Sequence, residues 1–384
     1  MKVLILEPYF TGSHKNWAEG YRKFSKHAVD ILSLPGNFWK WRMHGGAVTL
    51  AQKYLAGDFA PDLLLATDML DLTTFLALTK DRTAGIPTAV YFHENQLSYP
   101  WSPEDRDVLQ KRDKHYGFIN YVTALAADAV FFNSGYHRQS FLDELRRFLK
   151  HFPDYQDLGN IDKIASKSDV LPLGIDLSRF DEFRPQARKA EEETRKSETG
   201  GRFSNSDAQI PLILWNHRWE FDKNPNDFFQ ALFILAERGI DFQVAVLGEC
   251  FSKQPKEFIL AREVLGDRIV HFGYAESFAD YAAWLWRADI LPVTSKQDFF
   301  GASVVEAIYC GCLPLLPNRL AYPELLPVQQ FAGCFYQEFD GLVELLAAAI
   351  QESGTAPAGF SEDARKYDWS AMATQYDETL ATII

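Results

Sequence analysis

Two basic side chains five positions apart, Arg218 and Lys223, are candidates for binding an anion. They follow a short apolar run, and His217 directly precedes the arginine. Arginine offers a planar fork of donors and lysine a point charge, so the pair could neutralise a leaving diphosphate without a metal ion. Surface ion pairs with Glu220 or Asp222 are an equally good interpretation of the spacing.

Two carboxylates, Asp298 and Glu306, lie eight positions apart around a predicted helix start. We expect Asp298 in the preceding loop and Glu306 inside the helix, where one could contact a sugar and the other a ribose. Small residues between them would leave the N–H groups of the helix start open to a phosphate or hexose oxygen. The whole predicted contact segment is Asp298, Phe299, Phe300, Gly301, Ala302 and Glu306.

Polar residues also follow two predicted strands in the first half of the chain. His93, Glu94, Asn95 and Gln96 come after a strand that looks buried, and their mixed donors and acceptors suit sugar hydroxyls. A polar loop that is capped internally is the alternative. Gly12, Ser13 and His14 come after the first strand, where a helix N-terminus could bind an anion, although a plain turn fits equally well.

Aromatic and basic residues alternate in a third segment, which contains Trp39, Trp41 and Arg42. Such a pattern is typical of nucleoside binding by stacking and phosphate contact, but it also fits an amphipathic edge that covers a core. The segment 105–107 has the two-aspartate form of a metal site, yet it lies in a run of charges typical of a helix face. Cys310 and Cys312 lack further ligands and are expected to be small buried thiols, so we predict no metal site.

These candidate residues must be positioned by alternating strands and helices. Short β-branched and aliphatic runs alternate with helix-compatible stretches, which predicts parallel sheets with crossover helices. The predicted strands cover residues 3–6, 62–66, 88–93, 129–133 and 169–173, and then 212–215, 243–247, 268–272, 289–292 and 312–316. The second half repeats the first, so the predicted fold is α/β, with two Rossmann-like domains facing each other across a cleft.

Length and composition agree with two domains. The 384 residues, 47% of them hydrophobic, can form two cores. We predict an N-terminal domain over 1–181, a charged linker or insertion over 182–209, a C-terminal domain over 210–365 and a helix over 366–384 that crosses back to the first domain. No apolar run is long enough for a membrane helix, and four oddly spaced cysteines favour a reducing cytoplasm. The net charge of −13 argues against non-specific binding of polyanions.

Together, these segments resemble known glycosyltransferases. Residues 298–306 are similar to the acidic motif of retaining, two-domain nucleotide-sugar glycosyltransferases, except that Asp298 stands where that group usually has glutamate. A resemblance over nearly the whole chain is carried by residues 12–15, 39–42, 91–97, 132–134, 217–220 and 306–312. By these segments the chain resembles the tRNA-queuosine mannosyltransferase family.

The resemblance implies transfer of mannose from GDP-mannose to the cyclopentenediol of queuosine in the anticodon of an aspartate tRNA, with no metal or other cofactor. It implies that Arg218 and Lys223 hold the donor diphosphate, Glu306 the ribose and Asp298 the hexose. His93 would face them from the first domain. The wider expected donor set adds Gly12, Ser13, His217 and the backbone of residues 299–302, and the expected acceptor set is His14, Trp39, Trp41, Arg42 and residues 93–96. A same-fold enzyme acting on a glycan, lipid or small molecule is the alternative.

Overall fold

The computed structural model describes residues 1–102, 105–110, 114–184, 210–250, 254–352 and 359–384. They form two compact units: Met1–Ile175 with Tyr367–Ile384, and Asp176–Lys366. Most of the predicted linker, residues 185–209, lies outside the described residues. The division falls before residue 181 because Phe180 packs edge-on against Phe278 and its carbonyl accepts a hydrogen bond from Trp286 Nε1 at 2.8 Å, both within the second unit.

A parallel sheet forms the centre of the first unit, with strand order β2-β1-β3-β4-β5-β6. Its strands are β1 (Lys2–Phe10), β2 (Ala28–Pro35), β3 (Leu63–Thr67), β4 (Thr88–Phe92), β5 (Ala129–Phe132) and β6 (Ser168–Val170). The strand β2 was not predicted, because it lies at the sheet edge and alternates buried with exposed residues instead of forming a continuous apolar run. β3 and β4 are buried along their whole length, as the apolar runs indicated.

Helices connect these strands. They are α1 (Gly12–Phe24), α2 (Trp39–Ala56), α3 (Leu72–Thr83), α4 (Arg106–Leu109), α5 (Lys114–Ala126), α6 (Gly135–Leu149) and α7 (Gly159–Ser166). A main core cluster joins Leu4, Leu64, Val90 and Phe132 of the strands to Leu50 and other helix residues. Because crossover helices cover the sheet, polar groups are concentrated where the strands end.

The second unit repeats this architecture, with strand order β12-β11-β10-β7-β8-β9. Its strands are β7 (Leu212–Trp215), β8 (Gln243–Val246), β9 (Ile269–Phe272), β10 (Ile290–Pro292), β11 (Leu313–Pro317) and β12 (Phe335–Tyr336). Its helices are α8 (Pro225–Glu237), α9 (Lys256–Leu265), α10 (Phe278–Arg287), α11 (Ala302–Tyr309), α12 (Tyr322–Leu325), α13 (Phe339–Gln351) and α14 (Phe360–Arg365). β12 was not predicted, since two residues are too short to produce a sequence pattern.

The last helix, α15 (Trp369–Ala381), belongs to the first unit. Trp369 is buried against two glycines, and a Cβ placed on Gly20 or Gly174 would lie 2.0 or 2.5 Å from its indole. Asp377 accepts hydrogen bonds from Tyr21 Oη at 2.9 Å and from the Lys26 backbone at 2.8 Å. No helix within the described ranges is long and apolar enough to span a membrane.

Candidate functional site

Lys223 lies among oxygen atoms at the loop that follows β7. Its Nζ is 3.0 Å from the Gln297 carbonyl, 3.3 Å from Asp222 Oδ2 and 3.4 Å from Asp298 Oδ2. Burial opposes the charge, but the two carboxylates outweigh it and raise the pKa of Lys223 above its ordinary value. The lysine therefore remains a cation at a largely buried position, where its charge acts with little screening by water.

Asp298 is held in place by three groups. Besides Lys223, Tyr322 Oη donates to its Oδ2 at 3.2 Å, and the Phe300 N–H donates to Oδ1 at 3.4 Å. Burial raises the pKa of this carboxyl, but Lys223, His217 and the Phe300 N–H together lower it below its ordinary value. Asp298 is thus an ionised acceptor with a fixed orientation.

Gly301 starts α11 in the left-handed conformation, with φ of 95°. A Cβ at this position would lie 3.2 Å from Tyr322 Cε1 and 3.3 Å from Leu325 Cδ1. Only glycine adopts this conformation without strain and leaves room for Tyr322. The predicted small-residue turn is therefore present at the helix start, with Phe299 and Phe300 buried before it and Ala302 as the first helical residue.

Glu306 lies inside α11, as predicted, and accepts a 2.6 Å hydrogen bond from Tyr281 Oη. Burial raises the pKa of Glu306 to about 7, and the hydrogen bond from Tyr281 partly opposes that rise. A carboxyl with this pKa changes its charge in the physiological range. Its ability to accept hydrogen bonds from a hydroxylated ligand will therefore depend on pH.

His217 and Arg218 differ in their exposure. His217 is buried, its Nδ1 lies 3.1 Å from Ser303 Oγ, and burial together with Lys223 lowers its pKa to about 4. Arg218 has a side chain that is 46% exposed and lies 3.6 Å from Glu220 Oε2. The ion pair with Glu220, which was the alternative interpretation of the spacing, is thus present, and binding of an anion by Arg218 stays a prediction.

Four buried titratable groups lie together at the ends of β1, β3 and β4 in the first unit. His14 Nδ1 is 2.9 Å from Glu7 Oε2, and its ring stacks on that of His93 with centroids 4.1 Å apart. Asp68 Oδ1 accepts from the His93 N–H at 2.8 Å and lies 3.4 Å from His93 Nδ1. We call Glu7, His14, Asp68 and His93 the histidine cluster.

Charge in the histidine cluster is concentrated on the Glu7–His14 pair. Burial opposes protonation of His14, but Glu7 raises its pKa to about 9. Burial and the His14 charge instead hold the pKa of His93 well below its ordinary value. Burial raises the pKa of Asp68 to about 7. His93 is therefore neutral at pH 7, and its ring nitrogens have no hydrogen-bond partner among the described residues.

His14, Asp68 and His93 could offer three metal ligands, since their ligand atoms all lie within 4.8 Å of one another. Metal-ligating imidazoles must be neutral, so a metal ion would have to displace the proton that Glu7 stabilises on His14. The arrangement suits the binding of a hydroxyl group better than that of a cation, because it combines an imidazolium, a neutral imidazole and a carboxyl group.

Of the four predicted side chains in the loop after β4, Asn95 caps the loop from within. Asn95 is fully buried, and its Oδ1 accepts from the backbone N–H groups of Leu97 at 3.1 Å and Ser98 at 2.9 Å. The predicted acceptor contact of Asn95 is thus replaced by loop capping. Glu94 and Gln96 bond to each other at 2.9 Å and remain partly exposed, so they keep the potential to contact a ligand.

The aromatic segment at the start of α2 separates into buried and exposed parts. Trp39 is half-buried and packs against Trp101 and Tyr116, with centroids 5.9 and 5.2 Å away. Trp41 is exposed, and Arg42 Nε donates to the Pro35 carbonyl at 3.1 Å. Trp39 therefore covers the core, as the alternative interpretation held, while Trp41 has a face available for binding.

Two features that were discounted as metal sites are occupied by other interactions. Asp105 caps α4, and Asp105 and Asp107 contact the Lys40 ammonium at 2.6 and 2.5 Å. Cys310 and Cys312 are buried free thiols, as expected. Gly12 and Ser13 lie exposed in the first turn of α1, next to His14.

Comparison with known proteins gives the family. Residues 2–175 match the family described as tRNA-queuosine alpha-mannosyltransferase N-terminal, and residues 201–367 match glycosyl transferases group 1. The tRNA-queuosine alpha-mannosyltransferase of Drosophila melanogaster is 38% identical over 326 residues, which are 85% of this chain and 81% of that protein. The chain belongs to the tRNA-queuosine alpha-mannosyltransferase family. It is a glycosyltransferase.

Other similarities are more distant. A D-inositol 3-phosphate glycosyltransferase of Pseudarthrobacter chlorophenolicus is 28% identical over 158 residues, covering 40% of this chain and 34% of that protein. Anabaena HepE, solved in complex with UDP-glucose, is 16% identical with a TM-score of 0.64, and both chains are covered completely. Sucrose-phosphate synthase from Thermosynechococcus elongatus is 14% identical with a TM-score of 0.66, covering 100% and 98% of the chains. These structures confirm the predicted fold class of two Rossmann-like α/β domains.

Four residues of this glycosyltransferase that shape its candidate sites were not identified from sequence: Glu7, Asp68, Tyr281 and Tyr322. Glu7 had a signal, since it is an acid inside an otherwise apolar strand. Asp68 also had one, because it directly follows β3 at the edge where such folds place polar groups. The two tyrosines had none, because each reaches its carboxylate only through tertiary packing.

Proposed function

We propose that this protein is a tRNA-queuosine alpha-mannosyltransferase. In the proposed reaction, mannose passes from GDP-mannose to the cyclopentenediol of queuosine in the anticodon of tRNA-Asp, with retention at the anomeric carbon. The observation that carries the proposal is the 38% identity to the Drosophila enzyme over 85% of the chain, together with the family match over residues 2–175. The family match covers most of the N-terminal unit, which contains the candidate acceptor residues.

The second unit supports a role in binding a nucleotide sugar. We propose that Lys223 and Arg218 bind the diphosphate, that Glu306 accepts from the ribose and that Asp298 accepts from the hexose. Lys223 and Asp298 are already oriented by each other at 3.4 Å, so little reorganisation is needed when the donor binds. As the glycosidic bond breaks, negative charge accumulates on the diphosphate, and the two cations stabilise it.

The proposed mechanism needs neither a metal ion nor an enzyme nucleophile. In front-face transfer, the departing phosphate oxygen takes the proton of the attacking hydroxyl while the new bond forms on the same face of the sugar. Lys223 and Arg218 then supply the positive charge that a divalent cation supplies in other transferases. His93, which is neutral, and Glu94 and Gln96 are proposed to contact the reacting sugars, with His14 as a fixed positive charge beside His93.

The reaction can be tested with purified protein, tRNA that contains queuosine, and GDP-mannose, in the presence of EDTA. Mass spectrometry of the released nucleosides should show queuosine heavier by one hexose. Product that forms only after addition of a divalent metal would contradict the metal-free mechanism. Binding of GDP-mannose without any tRNA product would indicate that the enzyme transfers the sugar to a glycan, lipid or small-molecule acceptor.

Arg218→Ala tests the phosphate assignment, with Arg238→Ala as the matched control. Both arginines lie in the second unit, are about equally exposed at 46% and 43%, and have a glutamate within ion-pair distance. Loss of a charge that stabilises the transition state should lower kcat by about 10²- to 10³-fold in R218A, and R238A should keep wild-type kcat. Equal rates in the two variants would rule out Arg218 as a phosphate ligand.

A further inference from the structure

Two large aromatic side chains are exposed at the N-terminal end of α2. Phe38 is 81% exposed and Trp41 is 64% exposed. The Phe38 carbonyl accepts from the Trp41 N–H at 2.8 Å, so both residues belong to the turn that starts α2. Large exposed aromatic side chains on one short segment are typical of binding sites.

The backbone of Phe38 is in an unfavourable conformation. Its φ of 54° and ψ of 56° are left-handed, which is rare for a bulky residue without an amide or carboxyl side chain. Burial of the side chain does not offset the free-energy cost of this backbone conformation, since the Phe38 ring is exposed.

Gly45 leaves room for the Trp41 indole to pack against the helix backbone. A Cβ on Gly45 would lie only 2.5 Å from Trp41 Cζ2 and 2.6 Å from Cε2, so the indole lies directly against the helix at this point. Glycine is unfavourable inside a helix, and here it allows the ring to lie down on the backbone. One side of the indole is thus supported while most of the side chain remains open to solvent.

This part of α2 lies at the same edge of the first unit as the histidine cluster. A Cβ on Gly46 would lie 2.8 Å from Pro8 Cβ near the end of β1, and Met43 packs in a cluster with Met69, two residues past the end of β3. His14 and Asp68 follow these two strands in the sequence. The start of α2, which carries the exposed rings, therefore lies at the edge of the unit that contains the histidine cluster.

We propose that Phe38 and Trp41 form a base-stacking surface for an unpaired nucleotide of the acceptor tRNA, separate from the nucleoside that receives the sugar. This inference rests on the proposed function for the identity of the acceptor. Stacking suits this protein because it uses the uncharged face of a base and does not need a basic surface. The chain has a net charge of −13, and the nearest lysine, Lys40, is already bound by Asp105 and Asp107.

Three variants test the surface: Phe38→Ala, Trp41→Ala and Gly45→Ala. The first two variants each remove a ring. G45A keeps both rings, but its Cβ displaces the Trp41 indole from the helix backbone. The substitution itself should not weaken the helix, because alanine favours helix formation more than glycine does. Tyr155→Ala is the matched control, because Tyr155 is a 91% exposed aromatic residue with a positive φ of 42° in the same unit. Binding of tRNA that contains queuosine is measured by fluorescence anisotropy, and the KM values for tRNA and GDP-mannose are measured by product formation.

We expect the Kd and KM for tRNA to rise about tenfold in F38A, W41A and G45A, as for loss of one stacked base, with wild-type values in Y155A. The KM for GDP-mannose should not change. Unchanged tRNA affinity in all three variants would overturn the inference, as would a loss of self-association or of protein binding in place of RNA binding. If the wild-type protein binds tRNA through these rings but transfers no mannose, the result would support the stacking surface and contradict the proposed reaction.

Discussion

The Glu7–His14 pair makes a quantitative prediction about stability and pH. Burial opposes protonation of His14, but Glu7 raises its pKa from 6.5 to about 9. A group with a raised pKa in the fold stabilises it fully below the unfolded-state value, here near pH 6.5, and this stabilisation is lost as pH rises through 9. From these two values, the contribution of His14 to the free energy of unfolding falls by about 2 kcal/mol between pH 7 and pH 9.

Glu7→Gln removes the charge and keeps a side chain of the same length that can still hydrogen-bond. Burial then becomes the dominant influence on His14, so its pKa should fall below 6.5. The variant should lose about 3 kcal/mol of stability at pH 7, because the favourable charged pair is gone. Between pH 7 and pH 9, the stability of the variant should also decline much less than that of the wild-type protein.

The direct assay is an NMR titration of the histidine rings, with the His14 signal assigned from its absence in a His14→Gln variant. Wild-type protein should show a ring that titrates near pH 9, and E7Q should show no such ring. Urea unfolding at pH 7, 8 and 9 gives the corresponding free energies. A wild-type His14 that titrates near 6.5, or a pKa near 9 that survives in E7Q, would refute the reasoning.

Three further predictions concern other positions. In Tyr281→Phe, loss of the 2.6 Å hydrogen bond should raise the pKa of Glu306 above about 7, so the acid limb of the kcat/KM profile for GDP-mannose should move to higher pH. Gly301→Ala should raise the donor KM about tenfold, because its Cβ would meet Tyr322; Gly311→Ala, with a similar φ of 96° and nothing within 4 Å, is the control and should keep the wild-type KM. Trp369→Ala should lower stability by about 3–5 kcal/mol in thermal or urea unfolding, because the indole is fully buried against Gly20 and Gly174, and a loss below 1 kcal/mol would contradict this packing.

The fold was predictable where strands are buried on both faces. Continuous apolar runs such as 63–66 and 212–215 indicate central parallel strands, and each was found within two residues of its predicted bounds. The edge strand β2 was not found because one face is exposed and its sequence alternates. β12 is too short for any periodicity, and only its pairing with β11 defines it.

Candidate site residues were predictable when they lie in loops directly after strands. Lys223 and Asp298 lie between the end of a strand and the next helix, and the structure brings them within 3.4 Å of each other, whereas Glu306 lies inside α11. Their orienting partners were not predictable, since Tyr322 and Tyr281 are 24 and 25 positions from the carboxylates that they contact. The distinction between Trp39 and Trp41 was also inaccessible, because the two residues lie on different sides of one helical turn, and the sequence does not tell which side packs on the core.

An acidic protein that acts on RNA must recognise its acceptor without a broadly basic surface. The first unit offers two features suited to this: exposed rings at Phe38 and Trp41, and a cation, His14, whose charge is buried beside Glu7. A buried cation cannot attract phosphates at long range, but it can orient hydroxyl groups that reach it. Recognition on this side would then depend on fit and stacking, so only an unpaired, accessible loop of the RNA could be bound productively. The anticodon loop of a tRNA meets that requirement, whereas a continuous duplex does not.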